Sequence, residues 1–229
     1  MTIDEIRKKY KISDRKIYEL IKKYNLSRRD EIFEALNQNK DMLYYLAGLT
    51  ASDGYLYDKK NRIEINLQLS DVGLIDKITE YLGLTTYIDE ERNRCRLMIH
   101  SLKLFNFFKE LGMSQNKSKD LSLNLDKIDL EFTHAFIRGY FDGDGTIFCY
   151  EGKYRANIVG NKDTMHKIYN ILIKNDIHCV IYDTHAKNVQ FDFYRVAINK
   201  KEDIIKFRDY IYKNNFIYLD RKYNKLHAV

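Results

Sequence analysis

Two segments 91 residues apart (144 − 53 = 91) share one unusual pattern, and they constrain this chain more than any other feature. Leu46-Ala47-Gly48-Leu49-Thr50-Ala51-Ser52-Asp53-Gly54 and Ile137-Arg138-Gly139-Tyr140-Phe141-Asp142-Gly143-Asp144-Gly145 each read as a helix ending in Asp-Gly, with a glycine five positions before the aspartate. Glycine just past a helix suits a left-handed cap. A glycine inside a helix costs about 1 kcal/mol relative to alanine, so Gly48 and Gly139 need a reason. Small residues on a helix face let a second backbone come close; two such helices, packed together, bring Asp53 beside Asp144. Paired carboxylates are a natural site for hard divalent cations such as Mg²⁺, which prefer oxygen ligands. A single Asp-Gly is an ordinary turn; the repetition carries the reading.

The repeat extends past the motif. At the same offset Glu64 and Asn66 answer to Arg155 and Asn157, and Leu74, Ile78 and Leu82 answer to Met165, Tyr169 and Ile173, so the chain is an internal duplication. Residues 62 to 69 alternate strictly, giving a strand with one apolar face and one face carrying Arg62, Glu64, Asn66 and Gln68. Val72 to Leu82 has the apolar spacing of a helix that covers the apolar face. Further on, Cys95, Leu97 and Ile99 alternate with Arg94, Arg96, Met98 and His100, before a helix from Ser101 to Leu111. Each half therefore reads helix, two strands, helix, two strands, helix. The result is a sheet covered on one face and open and polar on the other.

The motif resembles that of the LAGLIDADG homing endonucleases, whose name spells this helix: Leu46 to Gly54 agrees at Leu, Ala, Gly, Leu, Asp and Gly, and the second copy keeps Gly139, Asp142, Asp144 and Gly145. The resemblance implies an α/β fold of the α+β type. This is a duplicated α-β-β-α-β-β-α body with pseudo-twofold symmetry and two antiparallel, saddle-like sheets, its halves spanning 41-125 and 126-229. It implies that the metal-binding acids fall on Asp53 and Asp144, with Gly54 and Gly145 completing the metal site, Mg²⁺ as cofactor, and Mn²⁺ or Ca²⁺ able to occupy the same positions. It also implies a site-specific double-strand DNA endonuclease of a mobile genetic element, such as an intron, that makes a staggered break in a long asymmetric target. A basic residue follows the closing helix of each half in the family, which points to Lys117 and Lys222; the residues that orient water correspond to Asp71 and Lys162. The sixth motif position, usually acidic, is Ala51 in one copy and Asp142 in the other, so the halves are expected to be unequal and the two strand cuts to differ in rate.

An open antiparallel face studded with polar side chains suits a major-groove reader, because base edges there present patterned donors and acceptors. The candidates are Arg62, Glu64, Asn66, Gln68, Arg94 and Arg96 in the first half. In the second they are Arg155, Asn157, Gln190, Asp192 and Tyr194, with Tyr182 and Lys187 at strand ends. A solvated sheet face is the alternative for any single strand; four strand pairs favour the groove. The net charge of +6 suits an anionic partner but is modest for a DNA binder. Residues 1-40 hold 11 Lys and Arg against 7 Asp and Glu, the most basic stretch. They read as a small all-α module resembling a helix-turn-helix, with Thr2 and Ser13 as caps and Arg15, Lys16 and Lys22 facing DNA; a plain helical hairpin on the core is the alternative. Residues 28 to 40 are expected to be a linker.

Six scattered histidines show no metal-ligand spacing, and Cys95, Cys149 and Cys179 are odd in number and far apart, which excludes a zinc site. Isolated cysteines with no signal peptide or long apolar run predict a reducing cytoplasm, near the nucleoid, and no membrane partner. Nineteen tyrosines without tryptophan or proline suggest a low-GC bacterial or phage genome. Met1 and the terminal Leu226-His227-Ala228-Val229 lack splicing residues, so a free-standing or intron-encoded protein is expected, sufficient as a monomer. The rival reading is a non-cleaving relative, an intron RNA maturase or a DNA-binding regulator; retention of both Asp53 and Asp144 favours the nuclease.

Overall fold

The glycine-bearing helices lie side by side at the centre of the molecule, in a computed structural model that describes residues 3–23, 28–115, 122–184, 193–214 and 217–229. Helix α4 (Lys40–Asp53) begins where the Asn39 side chain accepts the Met42 N–H at 3.2 Å, and α7 (Thr133–Asp144) is its partner. No other two elements among the described residues pack so extensively. The reason is steric: a Cβ at Gly48 would stand 2.0 Å from the carbonyl oxygen of Phe136, and one at Gly139 would stand 2.0 Å from that of Tyr45. Each glycine thus receives the other helix's backbone.

Gly54 and Gly145 do not form left-handed caps. Both are extended, at φ −85° and −89°, so each helix passes straight into a strand. Glycine is needed there for room, since a Cβ at Gly54 would meet Thr50 Cα at 2.6 Å and one at Gly145 would meet the Phe141 ring at 2.1 Å.

The first half continues with β1 (Gly54–Tyr57), β2 (Arg62–Gln68), α5 (Val72–Leu82), β3 (Tyr87–Asp89), β4 (Arg94–His100) and α6 (Leu102–Glu110). The second repeats the order with β5 (Gly145–Tyr150), β6 (Lys153–Gly160), α8 (Lys162–Lys174), β7 (Val180–Thr184), β8 (Phe193–Ile198) and α9 (Lys201–Ile211). The sheets are antiparallel with equivalent strand orders, β1-β2-β4-β3 and β5-β6-β8-β7. Ile63, Ile65, Leu67, Cys95, Leu97 and Ile99 are buried on the helix side of the first sheet, as the period-two alternation requires. Ala156, Ile158, Val196 and Ile198 do the same in the second.

Short helices α1 (Ile3–Tyr10) and α2 (Asp14–Lys23) precede this body, with the Ser13 hydroxyl accepting the Lys16 N–H at 3.3 Å. The stretch expected to be a linker is instead helix α3 (Arg28–Gln38), docked on α4 and α6 through fully buried Leu36 and a Phe33–Phe107 ring contact at 5.9 Å. At the other end α10 (Asp220–His227) reaches the start of α5, where Arg221 Nε meets Asp71 at 2.9 Å and Lys77 Nζ meets Asp220 at 2.9 Å. No helix among the described residues is long and apolar enough to cross a membrane.

Polar contacts across the α4–α7 seam are made once and not repeated at the positions 91 residues away. The Tyr45 hydroxyl donates to Asp142 Oδ2 at 2.8 Å, whereas the positions 91 residues away on each side are Phe136 and Ala51 (136 − 45 = 91; 142 − 51 = 91). Asp41 takes a hydrogen bond from Arg138 Nη2 and sits 3.1 Å from His134 Nε2, whereas the counterparts are Phe132, Ala47 and Leu43. Burial pushes the Asp41 carboxyl up, but His134 and Arg138 outweigh it and hold the group below its ordinary value. Arg138, wholly buried, also donates Nη1 to the Ile211 carbonyl at 2.9 Å.

Candidate active site

The seam ends in the two acids. Asp53 is exposed and Asp144 half-buried, each the last residue of its helix. Their proximity is fixed by Gly143: a Cβ there would stand 2.0 Å from Ser52 Oγ and 3.0 Å from Asp53 Oδ2. The Asp53 carboxylate therefore rests on the bare backbone beside Asp144. Both acids exert their charge on the Tyr140 phenol, which burial already holds above its ordinary value.

Among the described residues no three His, Cys, Asp or Glu side chains form a metal cage. Two acids brought to the same end of the seam fit Mg²⁺ nonetheless, because that ion keeps several waters and is commonly held by one or two carboxylates plus substrate phosphate oxygens. Gly54 and Gly145, the other residues assigned to the metal site, open β1 and β5 and are buried.

Lys222 lies behind the acids. It is 3% exposed, and its ammonium donates to the carbonyls of Phe141, Asp142 and Gly143 at 2.7, 2.6 and 2.9 Å, capping the negative end of α7. All three donors of the lysine are used. Burial lowers its pKa to about 8, against the pull of Asp142, Asp53 and Asp144. Its neighbour Arg221, half-exposed, grips nearly buried Asp71 through Nε and Nη2, so Asp71 is tied to a cation. Lys162 stands over the Tyr194 ring at 5.8 Å. Lys117 lies outside the described residues.

Asp142, the acid at the variable motif position, does not join the metal site. It is buried, and its Oδ2 accepts both the Tyr45 hydroxyl and the Leu219 N–H at 2.9 Å. Burial pushes its pKa up to about 6. A carboxyl raised in the folded state contributes stability that is present below its unfolded value near 3.8 and lost as pH rises through about 6. Asp142→Asn, permanently neutral, is therefore expected to gain on the wild type by up to about 3 kcal/mol between pH 4 and pH 7, measured by urea unfolding across that range. A difference independent of pH would refute the assignment.

The open face of the first sheet carries Arg62, Glu64, Asn66, Gln68, Arg94 and Arg96, as expected. Glu64 is nearly buried among Arg62 Nη2 at 3.0 Å, Asn66 Nδ2 at 3.3 Å and Arg96 Nε at 3.6 Å, beside an open polar cavity of about 300 Å³ that includes Asp89, Arg92 and Arg94. On the second sheet Arg155 and Asn157 share the open face. Tyr194 does not: it donates to Asp183 at 3.1 Å and its ring lies 5.7 Å from that of His166 on α8, on the helix side. The same strand turns Phe193 and Arg195 outward instead. Gln190, Asp192 and Lys187 lie outside the described residues. Arg15 and Lys16 are exposed on α2, both near Glu19; the Lys22 side chain lies outside the described set.

Two glycine-sealed helices ending in paired acids, each followed by an antiparallel four-stranded sheet, define the LAGLIDADG architecture. Residues 131–212 match the family described as LAGLIDADG-like domain, and the chain as a whole shares the fold of single-chain LAGLIDADG homing endonucleases. The homing endonuclease I-GzeII, in complex with its DNA target, is 13% identical with a TM-score of 0.53 over 81% of this chain and 87% of its own. I-LtrWI, bound to target DNA, is 10% identical with a TM-score of 0.55 over 82% and 89%. WhiA (DUF199) of Thermotoga maritima shares the fold at 14% identity and a TM-score of 0.54, over 88% of this chain and 61% of that one. Elongation factor 2 of Methanopyrus kandleri is 28% identical over 141 residues, 59% of this chain; the match spans only 11% of that protein's length.

Proposed function

We propose that this protein is a metal-dependent endonuclease that makes a staggered double-strand break in a long asymmetric DNA target. The observation that carries the reading is the Asp53 carboxylate seated on Gly143, next in sequence to Asp144, at the meeting of two halves whose sheets each leave one face open. Asp53 and Asp144 would hold Mg²⁺, which would supply Lewis-acid polarisation of the scissile phosphate and a more acidic water. The chain's own residues do the rest. Gly48 and Gly139 fix the spacing of the acids, and Lys222 positions Asp144 by holding the carbonyl end of α7. Arg221 lends positive charge near Asp53, and Lys117, the basic residue after the closing helix of the first half, is the counterpart of Lys222. Each half, 41-125 and 126-229, engages one side of the target through its sheet, and residues 1-40 add a basic module that contacts flanking phosphates through Arg15, Lys16 and Lys22. One chain supplies both halves, so a monomer acts alone.

The test is incubation of the protein with a randomised duplex library and Mg²⁺, followed by sequencing of the ends released. Recovery of one enriched sequence with staggered ends, lost on adding EDTA, is the expected result. Tight binding without breaks overturns the nuclease reading in favour of a regulator.

A further inference from the structure

We infer that the two open sheet faces read half-sites of different composition, the second taking a thymine-rich stretch and the first a stretch bearing G·C pairs. This rests on the reading of the protein as a DNA binder. The strand registers make the faces comparable place by place: Gln68 faces Arg94 as Val159 faces Arg195, and Asn66 faces Arg96 as Asn157 faces Ala197. On the outer strands Asp89 meets Arg94 as Tyr182 meets Arg195. Three polar places of the first face, Gln68, Arg96 and Asp89, are thus Val159, Ala197 and Tyr182 in the second.

Ala197 is buried, but Val159 and Tyr182 form an apolar surface that Phe148, Tyr150, Val180 and Phe193 extend, each more than a third exposed. A face serving only solvent gains nothing from such a patch. Lys153, Arg155 and Arg195 stand among these residues, and the four strands present no carboxylate on this face among the described residues, so the occupant is both anionic and able to offer apolar groups. Duplex DNA meets both conditions where thymine 5-methyl groups line the major groove. The first face instead sets Arg94 and Arg96 beside Asp89, the side chains that address guanine acceptors and the cytosine amino group.

Selecting duplexes from a randomised library with the full chain in EDTA separates binding from cleavage. One flank of the selected sequence is expected to be thymine-rich and the other to carry G·C pairs. Replacing thymine by deoxyuridine removes only the methyl group; in the thymine-rich flank it should weaken binding about fourfold per buried methyl, and in the other flank not at all. Val159→Gln should change the preferred base at one position of the thymine-rich flank alone, linking that flank to the second sheet. Flanks of equal composition, or indifference to deoxyuridine, would overturn the inference while leaving DNA binding intact. Failure to select any duplex would overturn both, and the apolar face would then be a protein contact.

Discussion

Asp144→Asn and, separately, Asp53→Asn are each expected to lower strand breakage by at least about 10³-fold, the scale on which removal of a preorganised charge-stabilising group acts, while duplex binding in EDTA is kept. Asparagine preserves size and shape, and neither acid belongs to the buried core. What it removes is the anionic oxygen a hard cation requires. Relief of repulsion between neighbouring carboxylates should at the same time raise the thermal midpoint of the metal-free protein. Loss of activity with a gain in stability separates a functional acid from a structural one. Cleavage of a selected duplex, read on gels beside a binding assay and a melting curve, checks all three parts; a variant that still cuts both strands would remove that acid from the mechanism.

The second large effect concerns Gly139→Ala. Its Cβ would stand 2.0 Å from the Tyr45 carbonyl oxygen and 2.8 Å from the Leu49 nitrogen, backbone atoms that cannot swing aside. The helices must separate, at a cost at or above the roughly 3 kcal/mol upper range of overpacking. Alanine's helix propensity returns only about 1 kcal/mol. Net destabilisation follows, together with a loss of cleavage, because the same separation lifts Asp53 away from Gly143. Gly73→Ala in α5 is the control: nothing lies within 4 Å of that position, and a gain of up to about 1 kcal/mol is expected there. Urea unfolding of the two variants, with opposite signs, checks the argument.

The central helices are legible in the sequence because an interior glycine is costly and therefore informative. The strands are legible because Ile63, Ile65 and Leu67 alternate with polar residues at a period of two, which no helix face shares. Tyr194 lies on the face opposite to the one expected. Its ring is amphipathic, so its polarity does not reveal which side it occupies, and the phase of its strand is set by Val196 and Ile198, which face the helices, rather than by Gln190. Helix α3 is hard to see in the sequence because Arg28 to Gln38 offers few apolar residues to mark a face. The burial of Lys222 depends on which carbonyls α7 leaves unpaired, a property of three-dimensional closure. Gly143 has a signal, since it replaces Ser52 of the first motif copy, where a side chain would collide with that serine.

The unrepeated polar contacts of the seam make the ancient duplication irreversible. Two copies of the first half, joined in one chain, would bury Asp41 against Leu43 and Ala47 with no cation to meet it. Two copies of the second would bury Arg138 and Asp142 against Phe132 and Phe136. Either arrangement strands a charge in the interior, at a cost of several kcal/mol. The halves have become lock and key to each other, and neither can be exchanged for a second copy of its partner.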